Sequence, residues 1–113
     1  MTDQFPDRVA VKLIEKLTRR EATIGIIGMG YVGQPLALRY SQLGYKVIGF
    51  DVDQEKVKRL NSGKSDIEHI SAAAIEAANS AGMECTADIS RTSEADALIL
   101  CVPTPLNKYR EPE

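Results

Sequence analysis

Thr23-Ile24-Gly25-Ile26-Ile27-Gly28-Met29-Gly30-Tyr31-Val32-Gly33 starts as an apolar run and ends in three spaced glycines. Residues 23–28 are apolar without alternation, the pattern of a strand covered on both faces. Gly28, Gly30 and Gly33 fit the spacing G-x-G-x-x-G. Such a spacing also arises by chance in loops, so its surroundings decide. A strand precedes it, and an amphipathic helix from Tyr31 to Leu43 starts within it. An acid, Asp51, closes the next apolar run, which begins at Lys46, about 20 residues on. With all three present, the segment predicts a dinucleotide-binding turn.

Each position has a physical task in that turn. Gly28 lets the chain swing sharply out of the strand, and Gly30 removes a side chain so that backbone can approach a pyrophosphate. Gly33 lets the helix pack close to the sheet. The phosphates then meet free N–H groups at the positive end of the helix dipole. Asp51 accepts hydrogen bonds from the adenosine ribose hydroxyls, and its charge repels a 2′-phosphate, so the expected cofactor is NAD rather than NADP. Asp53 is a rival for the ribose role, and its other reading is a helix cap. Lys56 lies one helical turn past the acid and has two readings, an approach to the adenosine side or a solvated surface charge.

Outward from this stretch, the chain alternates helices and strands. Phe5, Val9, Leu13 and Leu17 recur at helical spacing, with Ala10 and Ile14 on the adjoining stripe, giving an amphipathic helix over about 5–20 that reads as a packing or docking helix, with partner binding as its other reading. In the helix after the glycines, Val32, Leu36, Tyr40 and Leu43 share one apolar face. Pro35 falls in its first turn, where a missing N–H costs little, and Gly44 follows as its cap. Asp53 can open a short helix with Val57 and Leu60 inward. Ser71 and Gly82 bracket an alanine-rich helix, Ala72 to Ser80. Met83 to Thr86 reads as a short strand and Ala95 to Val102 as an apolar one. Alternation of this kind argues for a parallel α/β sheet.

Composition excludes several classes. Net charge is −2, without the basic excess that draws proteins to nucleic acid or acidic lipid. No apolar run approaches the roughly 20 residues of a membrane span, and residues 1–17 carry no signal-peptide core. One His excludes a His-rich metal site, so no metal is expected. Two cysteines without metal-like spacing, Cys85 and Cys101, fit a reducing, cytoplasmic setting. Pro103, Pro105 and Pro112 punctuate a polar tail with no closing packed element. The chain is therefore expected to be part of a longer protein.

Three runs carry a more specific likeness: IGIIGMGYVGQPLAL (24–38), GFDVDQEKVKRLNSGKSDIEHI (49–70) and LILCVPTPLNKYREPE (98–113). Together they make the chain resemble the UDP-glucose/GDP-mannose dehydrogenase family, most of all the UDP-N-acetylglucosamine 6-dehydrogenases of bacterial polysaccharide pathways. The resemblance spans residues 20–113. It implies oxidation of a sugar C6 alcohol to the uronic acid with two NAD, through a thioester on a cysteine. It assigns cofactor contacts to Gly28, Gly30, Tyr31, Val32, Gly33, Asp51, Lys56 and the turn Val102-Pro103-Thr104. Thr104 stands either at the ribose–nicotinamide side of the cofactor or as a hydroxyl capping a Pro-rich turn. The family's nucleophilic cysteine, lysine and acids lie beyond residue 113, so no catalytic residue is assigned here. Cys85 and Cys101 read as small buried hydrophobes.

The expected fold is therefore α/β: a partial Rossmann fold, with a parallel sheet in the order 3-2-1-4 and helices on both faces. Residues 1–113 form an N-terminal NAD-binding domain that by itself catalyses nothing. Its parent is expected to be a homo-oligomeric dehydrogenase acting on a UDP-N-acetylhexosamine. UDP-glucose, GDP-mannose and UDP-N-acetylgalactosamine remain alternative substrates, and a non-catalytic NAD-sensing module is the rival of a different class.

Overall fold

The computed structural model describes residues 7–65 and 67–101. Its centre is β1 (Thr23–Ile27), flanked by β2 (Lys46–Phe50) on one side and β4 (Ala97–Leu100) on the other, with β3 (Glu84–Thr86) beyond β2. All pairings are parallel and the order is β3-β2-β1-β4, the expected arrangement. Ile24 stands opposite both Val47 and Ala97, and Gly25 opposite Ile48 and Leu98.

Alternation along the strands gives the sheet two different faces. Ile24, Ile26, Val47 and Cys85 form one face. Against it pack Ala37 and Leu38 of α2 (Gly33–Gln42), Leu60 of α3 (Gln54–Asn61), and Ile75 and Ala78 of α4 (Ala72–Ser80). Burial of each large aliphatic side chain there is worth about 1.5–3 kcal/mol. The second face carries Gly25, Ile48 and Phe50, and a 3-10 helix (Ile89–Glu94) joins β3 to β4. Arg91 of that helix reaches back to Glu84 Oε1 at 2.7 Å and to Glu94 Oε2 at 2.8 Å. A Cβ on Gly25 would lie 2.6 Å from Leu98 Cδ2 and 3.2 Å from Phe50 Cε2, so a glycine is what lets these side chains close over β1.

Helix ends follow the local signals. Asp53 accepts the N–H groups of Glu55 and Lys56 and so caps α3, which settles its reading as a cap. Ser71 accepts the Ala74 N–H at the start of α4. Gly44, at φ +98, ends α2 with its N–H on the Ser41 carbonyl. Asn61, at the end of α3, bridges to β3: its amide donates to the Cys85 carbonyl and accepts the Cys85 N–H, both at 2.9 Å.

Helix α1 (Asp7–Arg19) falls within the expected 5–20; Phe5 lies outside the described residues. Leu17 packs on the core, and Tyr45 Oη donates to the Leu17 carbonyl at 2.8 Å. Lys16 Nζ donates to Asp96 Oδ1 at 3.0 Å, while Asp96 Oδ2 accepts the Thr23 N–H at 2.8 Å, which ties α1 to the base of β1 and β4. Ile14, on the adjoining stripe, turns outward and is 61% exposed.

Two expectations are corrected. Helix α2 starts at Gly33, after Val32, and the stripe it buries is Gly33, Gln34, Ala37, Leu38 and Ser41. Val32 is 65% exposed, and Leu36, Tyr40 and Leu43 form a half-buried flank. Gly33 docks against the loop, and this rotation carries Ala37 into the core and Ser41 toward α4. Strand β4 is shorter than 95–102, and although apolar it is outermost among the described residues. Leu98 is 48% and Leu100 72% exposed, and Cys101 is half-buried rather than buried.

Candidate functional site

Residues 28–32 run from the carboxyl end of β1 into α2, above the sheet edge where ligands of such folds bind. A cavity of about 810 Å³ opens there. Gly28, Gly30, Tyr31, Val32 and Gln34 line one side, and Asp51, Val52 and Lys56 line the end of β2 and the start of α3. Ile27, Phe50, Leu100 and Cys101 come from the strand ends, with Ile67 and Ile89 from two connections.

The glycines are not equivalent. Gly28 turns at φ +99, and its N–H donates to the Phe50 carbonyl at 2.8 Å, fixing the loop to β2. A Cβ on Gly30 would meet nothing within 4 Å, so its missing side chain leaves open cavity. A Cβ on Gly33 would fall 1.7 Å from the Gly28 carbonyl oxygen and 3.3 Å from Ile26 Cγ2. Close approach of helix to sheet was the expected reason for Gly33; the tighter contact is with the loop itself.

Asp51 does more than its sequence position announces. Its Oδ2 accepts the Met29 N–H at 3.0 Å and its Oδ1 accepts the Asp53 N–H at 2.9 Å. The carboxylate thus holds the glycine loop and the entry to α3. Lys56 Nζ lies 3.6 Å from Asp51 Oδ2 and its side chain is 22% exposed, so the charge is paired rather than standing alone in solvent. Met29 is buried beneath the loop, and a Cβ on Gly49 would stand 2.7 Å from its sulfur. Ile67, Ile89, Gln34 and Val52 were not foreseen as cavity residues; they carry no motif.

The two cysteines differ. Cys85 is buried in β3, and burial, with smaller contributions from the Asp51 and Glu84 charges, pushes its thiol up to about 12. Cys101 lines the cavity, its N–H on the Ile27 carbonyl at 2.7 Å. Val102, Pro103 and Thr104 lie outside the described residues.

A parallel sheet with a glycine turn after its first strand and a carboxylate at the end of its second defines a Rossmann-type dinucleotide-binding domain. Residues 22–113 match the NAD binding domain of the UDP-glucose/GDP-mannose dehydrogenase family, and the chain belongs to that family, with NAD as its cofactor. A UDP-N-acetyl-D-glucosamine 6-dehydrogenase of Salmonella typhi is 34% identical over 93 residues, 82% of this chain and 21% of that protein. A UDP-N-acetyl-D-mannosamine dehydrogenase of Methanococcus aeolicus is 36% identical over 98 residues, 81% of this chain and 21% of that protein. Among solved structures, a GDP-mannose dehydrogenase from Pseudomonas aeruginosa superposes with a TM-score of 0.72 at 33% identity, over 80% of this chain and 21% of that one. The chain thus spans about a fifth of the length of these relatives.

Proposed function

We propose that the chain is the N-terminal cofactor domain, residues 1–113, of a dehydrogenase that oxidises the C6 alcohol of a UDP-N-acetylhexosamine to the uronic acid with two NAD. The observation that carries this reading is the open cavity above the glycine loop, bordered at its far side by Asp51. The names of the relatives, for UDP-N-acetylglucosamine and UDP-N-acetylmannosamine, support the sugar class. We infer a cytoplasmic, homo-oligomeric parent as well; for the compartment, the support is two cysteines without metal-like spacing, which fit a reducing setting.

The residues present fit the cofactor. The space a Cβ would fill at Gly30 is empty, and backbone there can approach a pyrophosphate. Gly28, Gly30, Tyr31, Val32 and Gly33 are assigned to that group, whose charge is met by the first N–H groups of α2. Each Asp51 oxygen accepts one backbone N–H and retains a lone pair, enough to take ribose hydroxyls. Lys56 holds Asp51 from the adenosine side. Val102, Pro103 and Thr104 are assigned to the ribose–nicotinamide side. When bound, NAD supplies hydride acceptance, one hydride for each of the two oxidation steps from alcohol to acid. The chain's own part is to bind and orient it; Cys85, raised and buried, is unsuited to nucleophilic work.

The test is calorimetric titration of the protein with NAD and NADP, followed by incubation of the whole enzyme with UDP-N-acetylglucosamine, UDP-N-acetylmannosamine and UDP-glucose. Saturable NAD binding, and two NADH formed per N-acetylated sugar, are expected. Binding of neither dinucleotide, or turnover of UDP-glucose alone, contradicts the proposal.

A further inference from the structure

Met29 sits between two glycines of the loop, and side chains take both of its backbone polar groups. Its N–H donates to Asp51 Oδ2 at 3.0 Å, and its carbonyl accepts from Gln34 Nε2 at 2.8 Å. The backbone N–H of Gln34 donates to the next carbonyl, that of Gly30, at 3.0 Å. One residue in the first turn of α2 thus holds two successive loop carbonyls. A trans peptide unit sets its C=O and N–H on opposite sides. Drawing both carbonyls toward Gln34 turns the N–H groups of Gly30 and Tyr31 away from them, and both residues line the cavity. Two successive N–H groups so directed, at the positive end of a helix dipole, make a seat for an anion.

The chemistry of position 34 supports a purpose for the amide. Gln34 is 1% exposed, on the buried stripe that also carries Ala37 and Leu38. A leucine of similar bulk would occupy that stripe without the cost of burying an amide. The acceptor it faces is a carbonyl, so a donor is required there.

We propose that Gln34 is a positioning residue for the dinucleotide pyrophosphate: its side-chain amide fixes the Met29–Gly30 peptide plane, whose N–H receives the anion beside that of Tyr31, a plane already set by the helical bond to the Gly30 carbonyl. The inference rests on reading the cavity as the NAD site. Its effect should therefore appear in cofactor affinity and not only in stability.

The experiment compares NAD affinity in the wild-type protein, Gln34→Leu and Gln34→Glu from pH 5 to 9, with circular dichroism as a fold check and the Gly30 amide resonance as a local probe. Gln34→Leu should bind NAD about five- to tenfold more weakly, the loss of one preorganising hydrogen bond, with the Gly30 amide displaced. In Gln34→Glu the introduced carboxyl, when protonated, can still donate to the Met29 carbonyl. Ionised, it offers only acceptors and adds negative charge beside the pyrophosphate. Burial raises its pKa, so NAD affinity in this variant should fall as pH rises, while the wild type stays flat. A folded Gln34→Leu with wild-type affinity overturns the proposal. If Gln34→Leu does not fold, a pH-independent affinity in Gln34→Glu overturns it instead. A wild-type protein that binds no NAD overturns the reading of the site, and this inference with it.

Discussion

Gly33→Ala adds a single methyl group at a place where the structure has no room. The new Cβ would lie 1.7 Å from the Gly28 carbonyl oxygen and 2.8 Å from its carbon. Non-bonded carbons are comfortable at about 3.5–4.0 Å, so one partner must retreat by more than about 1 Å. Gly28 is poorly able to do so, because its N–H is bonded to Phe50 and its φ of +99 is set by the turn. The strain falls on backbone, which places the cost at the upper end of overpacking, about 3 kcal/mol. Alanine's advantage over glycine in a helix returns up to about 1 kcal/mol. The net loss, about 2–3 kcal/mol, is a large part of the roughly 5–15 kcal/mol that holds a domain together. At about 4 °C or more per kcal/mol, the melting temperature should drop by about 10 °C. Gly30→Ala is the control. Its methyl group would enter open space, so stability should stay within about 0.5 kcal/mol of wild type while NAD affinity falls. Urea and thermal unfolding followed by circular dichroism, with NAD calorimetry on each variant, separate the two. A Gly33→Ala protein melting within about 2 °C of wild type, or a Gly30→Ala protein equally destabilised, refutes the reasoning.

Asp51→Ala should shrink the preference for NAD over NADP by about tenfold, the worth of one charged hydrogen bond, and an unchanged ratio of dissociation constants contradicts the ribose role. Cys85, with its thiol pushed up to about 12 by burial, remains protonated at neutral pH. A disulfide reagent at pH 8 should therefore label it only when denaturant opens the fold, and rapid labelling of the native protein rules this out. Cys101 lines the cavity, so saturating NAD should slow its labelling; an unaffected rate puts the cofactor elsewhere. The Asp96 carboxyl is held below its ordinary value by the Thr23 N–H and then by Lys16. Its contribution to stability is present above the unfolded carboxyl value and is lost as pH falls through the lower, folded one. Asp96→Asn should flatten the acid side of a plot of urea midpoint against pH, and parallel curves for variant and wild type would show that Asp96 carries no such linkage.

Much of this architecture is legible in the chain because it is locally encoded. Ser71 and Asp53 cap their helices as their side chains dictate, and Gly44 ends α2 because the αL turn favours glycine. Gly28, Gly30, Gly33 and Asp51 stand out because the motif fixes their separation. The buried stripe of α2 was not legible, since a contact between Gly33 and the Gly28 carbonyl, invisible to periodicity, sets the rotation of the helix. Lys56 was ambiguous until the cap at Asp53 set the start of α3 and brought its amine within 3.6 Å of Asp51. Ile67 and Ile89 reach the cavity from connections without a pattern, so only the folded chain reveals them.

The two bonds between Asn61 and Cys85 have a consequence for assembly. A strand at the margin of a sheet offers alternate N–H and C=O groups to any passing chain, an invitation to aggregation. At Cys85 that invitation is already taken up, because the carboxamide of Asn61 mimics one peptide unit of a neighbouring strand. Among the described residues, the outer edge of β3 is met by a side chain rather than by another strand. Growth of the sheet is thereby polarised among the described residues: a further strand, whether from the same polypeptide or from a misfolded neighbour, finds its template alongside β4.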